Sequence, residues 1–407
     1  MKETTMKSKK SFWIGLGTGI GISLLVATLY LGIQSVMDFT KSAGLGLIES
    51  EYSSQDEKFE DILEKLNTYY HEDINPENMY KEAYKGFVDG VGDPYTVYFS
   101  KDEFKSFTED IDGTYEGIGA YVGFGETKDE LLIIAPMVGS PSEKAGLKAM
   151  DRFISVDGID VSGMTTEELV KLIKGKKGTT VIIKVSRNNE VLEYSVVRDE
   201  IVVPTVSHEM LENKIGYLRI GGFDRVTEAQ FLEAFLELEA QNQEGMIIDL
   251  RYNGGGLTHV VAAIADELLP KGIIYYTEDK EGNKATVYSD EERQFKKPLV
   301  VLVNQSSASA SEILAGAIKD HERGVIVGTT TFGKGLVQQP VILNDGSVLK
   351  VTVAKYFTAD GHYIQGVGIE PDIIAELPEL DENATVPEDW DPQLDVAVDT
   401  ILEMVEK

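Results

Sequence analysis

The segment Phe12 to Ile33 is largely apolar and carries no charged side chain, which is long enough to cross a bilayer core as a helix. Lys2, Lys7, Lys9 and Lys10 precede it against Glu3 alone, a local charge of +3. This pattern predicts a cytoplasmic basic N-terminus over residues 1–11 and a transmembrane anchor over 12–34, with the remaining chain outside. A cleaved signal peptide is the competing reading, with Ala43 and Gly44 as the small residues near a cleavage point. Residues 35–112 read as a linker and helical N-terminal region. Within it, 38–60 is a polar spacer, and Ile62, Leu63, Leu66, Tyr69 and Tyr70 recur at helical spacing. The helical pattern runs from Phe59 to Phe107, broken by the turn residues Gly92-Asp93-Pro94-Tyr95-Thr96.

The period changes over residues 113–200. Strand-like runs occur at Ala120 to Phe124, Leu131 to Ala135, Phe153 to Val156, Val181 to Val185 and Val191 to Val197. One helix, Thr165 to Ile173, lies among them with Thr165 or Thr166 as N-cap. Residues 201–380 then alternate strand and helix. Strands are expected at 214–220, 245–250, 298–303 and 324–328, and helices at 227–240, 257–269 and 310–319, which implies a largely parallel sheet. Residues 381–407 form an acidic tail ending in a helix from Leu394 to Val405. The fold class is multidomain α+β: transmembrane helix, helical region, β-rich module and α/β core.

The chain has 407 residues, a net charge of −31 and no cysteine. Its length implies two or three domains. The acidic surface disfavours nucleic acid, and the missing cysteines exclude disulfides and thiolate chemistry.

Three segments of the α/β region carry candidate chemistry. Asp249-Leu250-Arg251-Tyr252-Asn253-Gly254-Gly255-Gly256 ends a strand in a glycine run that can present N–H groups to an anion, or simply turn. Asn304-Gln305-Ser306-Ser307-Ala308-Ser309-Ala310-Ser311-Glu312 leads from a strand into a helix, where a serine serves either as nucleophile or as cap. Gly328-Thr329-Thr330-Thr331-Phe332-Gly333-Lys334-Gly335 approaches a phosphate-binding loop. Gly335 stands where Ser or Thr is needed, and Leu336 to Pro340 continues as a strand, so the nucleotide reading is rejected. A lysine between glycines and apolar strands is a candidate for burial and use as a base, or an exposed turn residue. His259, after the glycine run, is the alternative base for a Ser-His site. His208-Glu209 opens like a zinc motif, but Glu212 occupies the second histidine position.

Taken together, these motifs resemble the C-terminal processing peptidases, or tail-specific proteases, over nearly the whole chain beyond residue 34. The likeness extends to Gly92-Asp93-Pro94-Tyr95, Asp320-His321-Glu322-Arg323, the run from Gly366 to Asp372 and Asp391-Pro392-Gln393-Leu394. It implies a serine endopeptidase with Ser309 as nucleophile, Lys334 as base and Gln338 orienting the lysine. Ala310 with Gly255 or Gly256 then forms the oxyanion hole. It also implies a PDZ domain over 113–200, with Gly117, Ile118 and Gly119 as its carboxylate-binding loop. No metal or organic cofactor is required. The implied partners are protein or peptide substrates with free C-termini, the bacterial cell membrane through the N-terminal helix, and a second copy in a homodimer. Met150 replaces a usual glycine, and His362 a common arginine. A non-catalytic PDZ scaffold is the rival reading.

Overall fold

The computed structural model describes residues 45–125, 130–290, 292–378, 387 and 390–407. The chain divides into two units, 1–84 and 85–407. The first contains the helix Leu45–Tyr69 and the start of a second, Pro76–Asp89, with Phe59, Ile62 and Tyr69 exposed. The expected spacer at 38–60 is thus helical from Leu45 onward. Among the described residues no helix is long and apolar enough to cross a membrane, and the anchor expected at 12–34 lies outside them.

In the second unit, a six-stranded sheet runs in the order Val206–Met210, Ile215–Ile220, Gly245–Asp249, Leu299–Val303, Val325–Gly328 and Ile373–Ile374. Only the first pairing is antiparallel. Gly245–Asp249 and Leu299–Val303 are buried at every position, as expected of strands covered on both faces. One face packs on the helices Thr227–Ala240, Thr258–Leu268 and Ala310–Asp320 through Phe231, Leu238, Val261, Ile264 and Leu314. The other packs on the C-terminal helix Pro392–Val405 through Ala397 and Ile401.

A second, antiparallel sheet joins Val97–Phe99, Leu336–Ile342, Val348–Thr358, Gly272–Asp279 and Lys284–Ser289. Of its strands the sequence pattern marks Leu336 to Pro340 alone; Val348–Thr358 mixes Lys350, Thr352 and Lys355 with apolar residues and shows no clean period. Val97–Phe99 lies inside the stretch expected to be helical; pairing with Val348, Leu349 and Lys350 overrides the local preference. The connection Gly328 to Leu336, which carries Lys334, passes from the parallel sheet to the antiparallel one.

Between the paired strands Thr114–Gly117 and Asp199–Val202 sits a smaller domain. Its strands Ala120–Phe124, Leu131–Pro136, Arg152–Val156, Thr180–Arg187 and Glu190–Val197 surround a core that includes Ile133, Phe153, Val181, Ile183 and Val185. Alternation along Thr180–Arg187 buries Val181, Ile183 and Val185 on one face. The helix Thr166–Ile173 starts with a capping box between Thr165 and Glu168 and buries Leu169 and Ile173. Met150 has φ 68°, a conformation that explains the usual glycine there.

Candidate active site

Ser309 stands between the strand Leu299–Val303 and the helix Ala310–Asp320, with φ 57° and ψ −113°. A non-glycine residue in such a conformation costs on the order of 1–3 kcal/mol and needs the surroundings to hold it. Here the Glu312 and Ile313 N–H groups donate to the Ser309 carbonyl at 2.9 and 3.0 Å, and the Tyr356 hydroxyl donates to the same oxygen at 3.1 Å. Neighbouring serines serve as tethers. Ser307 Oγ donates to the Leu250 carbonyl at 2.8 Å, and Ser311 Oγ to the Asn253 carbonyl at 2.9 Å. Ser306 is exposed, which leaves Ser309 as the half-buried serine at the strained turn.

The centre of the assembly is Glu312, which is fully buried. One carboxylate oxygen accepts from Thr331 Oγ1 at 2.6 Å and the Gly333 N–H at 2.7 Å. The other accepts from the N–H groups of Ser309 and Lys334, each at 2.8 Å. Four donors satisfy one buried charge, as burial of an ionised group requires. They also fasten the serine turn to the lysine loop. Sequence reasoning passed over Glu312; its signal was the Ser-x-x-Glu spacing from Ser309, the pattern of a capping box.

The glycine run meets the same turn. Gly255 has φ 103°, and a Cβ there would lie 2.8 Å from the Ala308 carbonyl oxygen and from Ser309 Cβ. Its N–H donates to Asn253 Oδ1 at 2.9 Å. Gly256 approaches the Phe223 backbone, 2.4 Å from a hypothetical Cβ to its carbonyl oxygen. Among the described residues, the N–H of Ala310, first in its helix, has no acceptor. The strand end before the run is held by Arg251, which donates to Asp249 and Asp391 at 2.7 Å each and to Gln393 at 3.2 Å. Burial pulls the Arg251 pKa down, but the bonds to Asp391 and Asp249 outweigh it and raise the pKa. The motif from Gly366 to Asp372 braces the lysine loop, with Gly366 N–H on the Gly333 carbonyl at 2.9 Å and Ile369 N–H on Thr331 Oγ1 at 2.7 Å. Arg323 gathers the carbonyls of Leu268, Phe295 and Lys297, a structural task.

The Lys334 amine is held below the ordinary lysine pKa by burial first and by the Lys350 ammonium second; the Glu312 and Asp93 carboxylates oppose this. The amine rests 4.8 Å from the centre of the Tyr95 ring. No hydrogen bond joins it to Ser309 or to Gln338 among the described residues. Gln338 instead donates to Thr352 Oγ1 at 3.3 Å. The fold therefore brings Ser309, Ala310, Gly255 and the Lys334 backbone together, while the Gln338 amide is bonded to Thr352. His259 is exposed and has no described hydrogen bond to Ser309. Among the described residues no cluster of His, Asp and Glu is arranged to hold a metal.

In the smaller domain, Gly117 pairs with Asp199, Ile118 is buried, and Gly119 has φ 72°. The Ile118 and Gly119 carbonyls accept from Ser142 N–H at 2.8 Å and Met137 N–H at 2.9 Å, so the loop is fixed from behind. Ala120–Phe124 is an edge strand. A cavity of about 160 Å³ beside it is lined by Tyr115, Ile118, Ala120, Val170, Ile173 and Lys174. An extended peptide can add to such an edge and place an apolar last side chain in the cavity. Lys174, unremarked in the sequence, lies 3.0 Å from Glu109 and over the Tyr115 ring.

Residues 214–375 match the peptidase family S41, and 132–187 match a PDZ domain. The chain is 40% identical over 373 residues to the carboxy-terminal processing protease CtpA of Bacillus subtilis, covering 91% of this chain and 78% of that protein. It is 36% identical to CtpB of the same organism, covering 87% and 75%. Among solved structures it is similar to a photosystem II D1 C-terminal processing protease, at 30% identity and a TM-score of 0.46, covering 77% of this chain and 86% of that one.

Proposed function

Because the chain belongs to peptidase family S41 and its carboxy-terminal processing proteases, and is thus an enzyme, we propose that it is a serine endopeptidase acting through Ser309 and Lys334. Neutral Lys334 takes the proton of Ser309 Oγ as that oxygen attacks a peptide carbonyl. The tetrahedral oxyanion is received by the Ala310 N–H and a backbone N–H of Gly255 or Gly256; a donor of this kind contributes about 3–4 kcal/mol. For Gly255 this requires its N–H to turn from Asn253. The lysine ammonium then gives its proton to the leaving amine. Water, deprotonated by the same lysine, releases the acyl group.

The observation that carries this reading is Glu312, whose carboxylate oxygen accepts from the backbone of both Ser309 and Lys334. For proton transfer the amine must leave Tyr95 and approach Ser309, where Gln338 can orient it after leaving Thr352. Since the lysine pKa is lowered, activity should rise with pH through that lowered value as the amine becomes neutral. Substrates are extracytoplasmic proteins, read at their C-termini by the Gly117-Ile118-Gly119 loop. The N-terminal lysines and uncharged segment support a single-pass bacterial membrane anchor, and exposed Phe87 and Val91 support a homodimer.

Lys334→Ala and His259→Ala, assayed on an unstructured peptide with circular dichroism as folding control, separate this mechanism from a Ser-His site. The Lys334 variant should lose activity about 10⁴-fold or more and the His259 variant little. Near-normal turnover by Lys334→Ala would refute the pair.

A further inference from the structure

The Gly92-Asp93-Pro94-Tyr95 turn has no part in the reaction above, yet it lies against the proposed base. Asp93 shapes it: Oδ1 accepts the Tyr95 N–H at 3.1 Å and Oδ2 accepts Thr96 Oγ1 at 2.6 Å. Thr96 Oγ1 in turn accepts the Thr352 N–H at 3.1 Å, clamping the turn to the strand Val348–Thr358. Val97–Phe99 then pairs with the same strand. The Tyr95 ring is thereby fixed to the sheet, with the Lys334 amine 4.8 Å from its centre. That distance is within the range of a cation–π contact.

We propose that Tyr95 is a positioning residue for Lys334, its ring forming the seat on which the amine rests before it engages Ser309. This rests on reading Lys334 as the base. The charged groups facing the amine are Lys350 from the strand Val348–Thr358, Glu312 from the serine helix and Asp93 from the turn itself. A ring face favours the ammonium form, so Tyr95 acts with Asp93 and Glu312 against burial and Lys350. Removing the face should make the amine lose its proton at lower pH.

The test uses the full chain with Tyr95→Leu and Tyr95→Phe. Two profiles are recorded against pH. One is kcat/KM on an unstructured peptide. The other is the rate at which an amine-selective acylating reagent labels Lys334, followed by mass spectrometry of its peptide. Tyr95→Leu should lower both midpoints by about half to one and a half pH units, the equivalent of one cation–π contact. Tyr95→Phe, which keeps the face, should match the parent. A labelling midpoint that falls while kcat/KM stays put supports the seat and refutes the base assignment. A parental labelling midpoint in Tyr95→Leu, or an equal shift in Tyr95→Phe, overturns the proposal. Tyr95 is only half-buried, and Tyr95→Met repeats the measurement should Tyr95→Leu not fold.

Discussion

The turn at Ser309 and the groove beside Ala120–Phe124 are both places where an extended peptide can lie, and their polar groups are satisfied in opposite ways. Around Ser309, buried Asn253, Asn304, Ser307, Ser311 and Glu312 each have protein partners. That network holds a strained residue in one conformation. Beside Ala120–Phe124, the loop carbonyls are held by Ser142 and Met137, and the strand lies at the edge of its sheet with a largely apolar cavity next to it. The first arrangement suits chemistry, which requires reacting atoms placed within fractions of an ångström. The second suits capture of varied peptides through backbone hydrogen bonds, with one side chain read in a cavity.

If that contrast is right, breaking the buried network should damage far more than weakening the groove. Glu312→Ala leaves four donors without their acceptor and should cut kcat by about a hundredfold or more, with a loss of about 3–5 kcal/mol in stability. Kinetics and denaturant unfolding of the same sample check both. A folded variant with near-normal kcat would remove Glu312 from the centre of the site. A milder effect is expected at the groove. Amidating the C-terminus of a substrate peptide should weaken its binding to the full chain about tenfold, as measured by calorimetry on Ser309→Ala enzyme. Equal affinity for acid and amide peptides would end the assignment of Gly117, Ile118 and Gly119 to carboxylate capture. The smallest effect belongs to Tyr356→Phe. It removes one of three donors to the Ser309 carbonyl, so stability should fall by about 0.5–1.5 kcal/mol and kcat a few-fold. A larger drop in kcat than in stability would make the Tyr356 hydroxyl part of the alignment of Ser309.

Much of the parallel sheet was legible because its strands are continuous apolar runs and its helices have apolar stripes. The helix Thr227–Ala240 falls where the pattern places it, and Leu299–Val303 is one residue shorter than expected. The antiparallel sheet was largely missed. Its strand Val348–Thr358 mixes Lys350, Thr352 and Lys355 with apolar residues, and its stability comes from partners distant in sequence. Helix Leu45–Tyr69 was read partly as spacer because its mean hydropathy is low and its polar residues spread around it. At the site, the glycine, serine and lysine segments could be recognised singly. The carboxylate joining the serine and lysine segments could not, since a Glu three residues after a serine is a common helix cap.

The sequence alone determined which residues could do the chemistry: a serine at a strand-to-helix turn, a lysine between glycines, and a glycine loop without bulk. Only the tertiary structure decided their relation. Glu312 binds the N–H groups of Gly333 and Lys334, which are distant along the chain, and hydrogen bonds of that kind leave no periodicity to read. The tertiary structure also placed the Lys334 amine on Tyr95. A cation–π contact depends on where two loops meet, and both loops lead into strands that pair with Val348–Thr358.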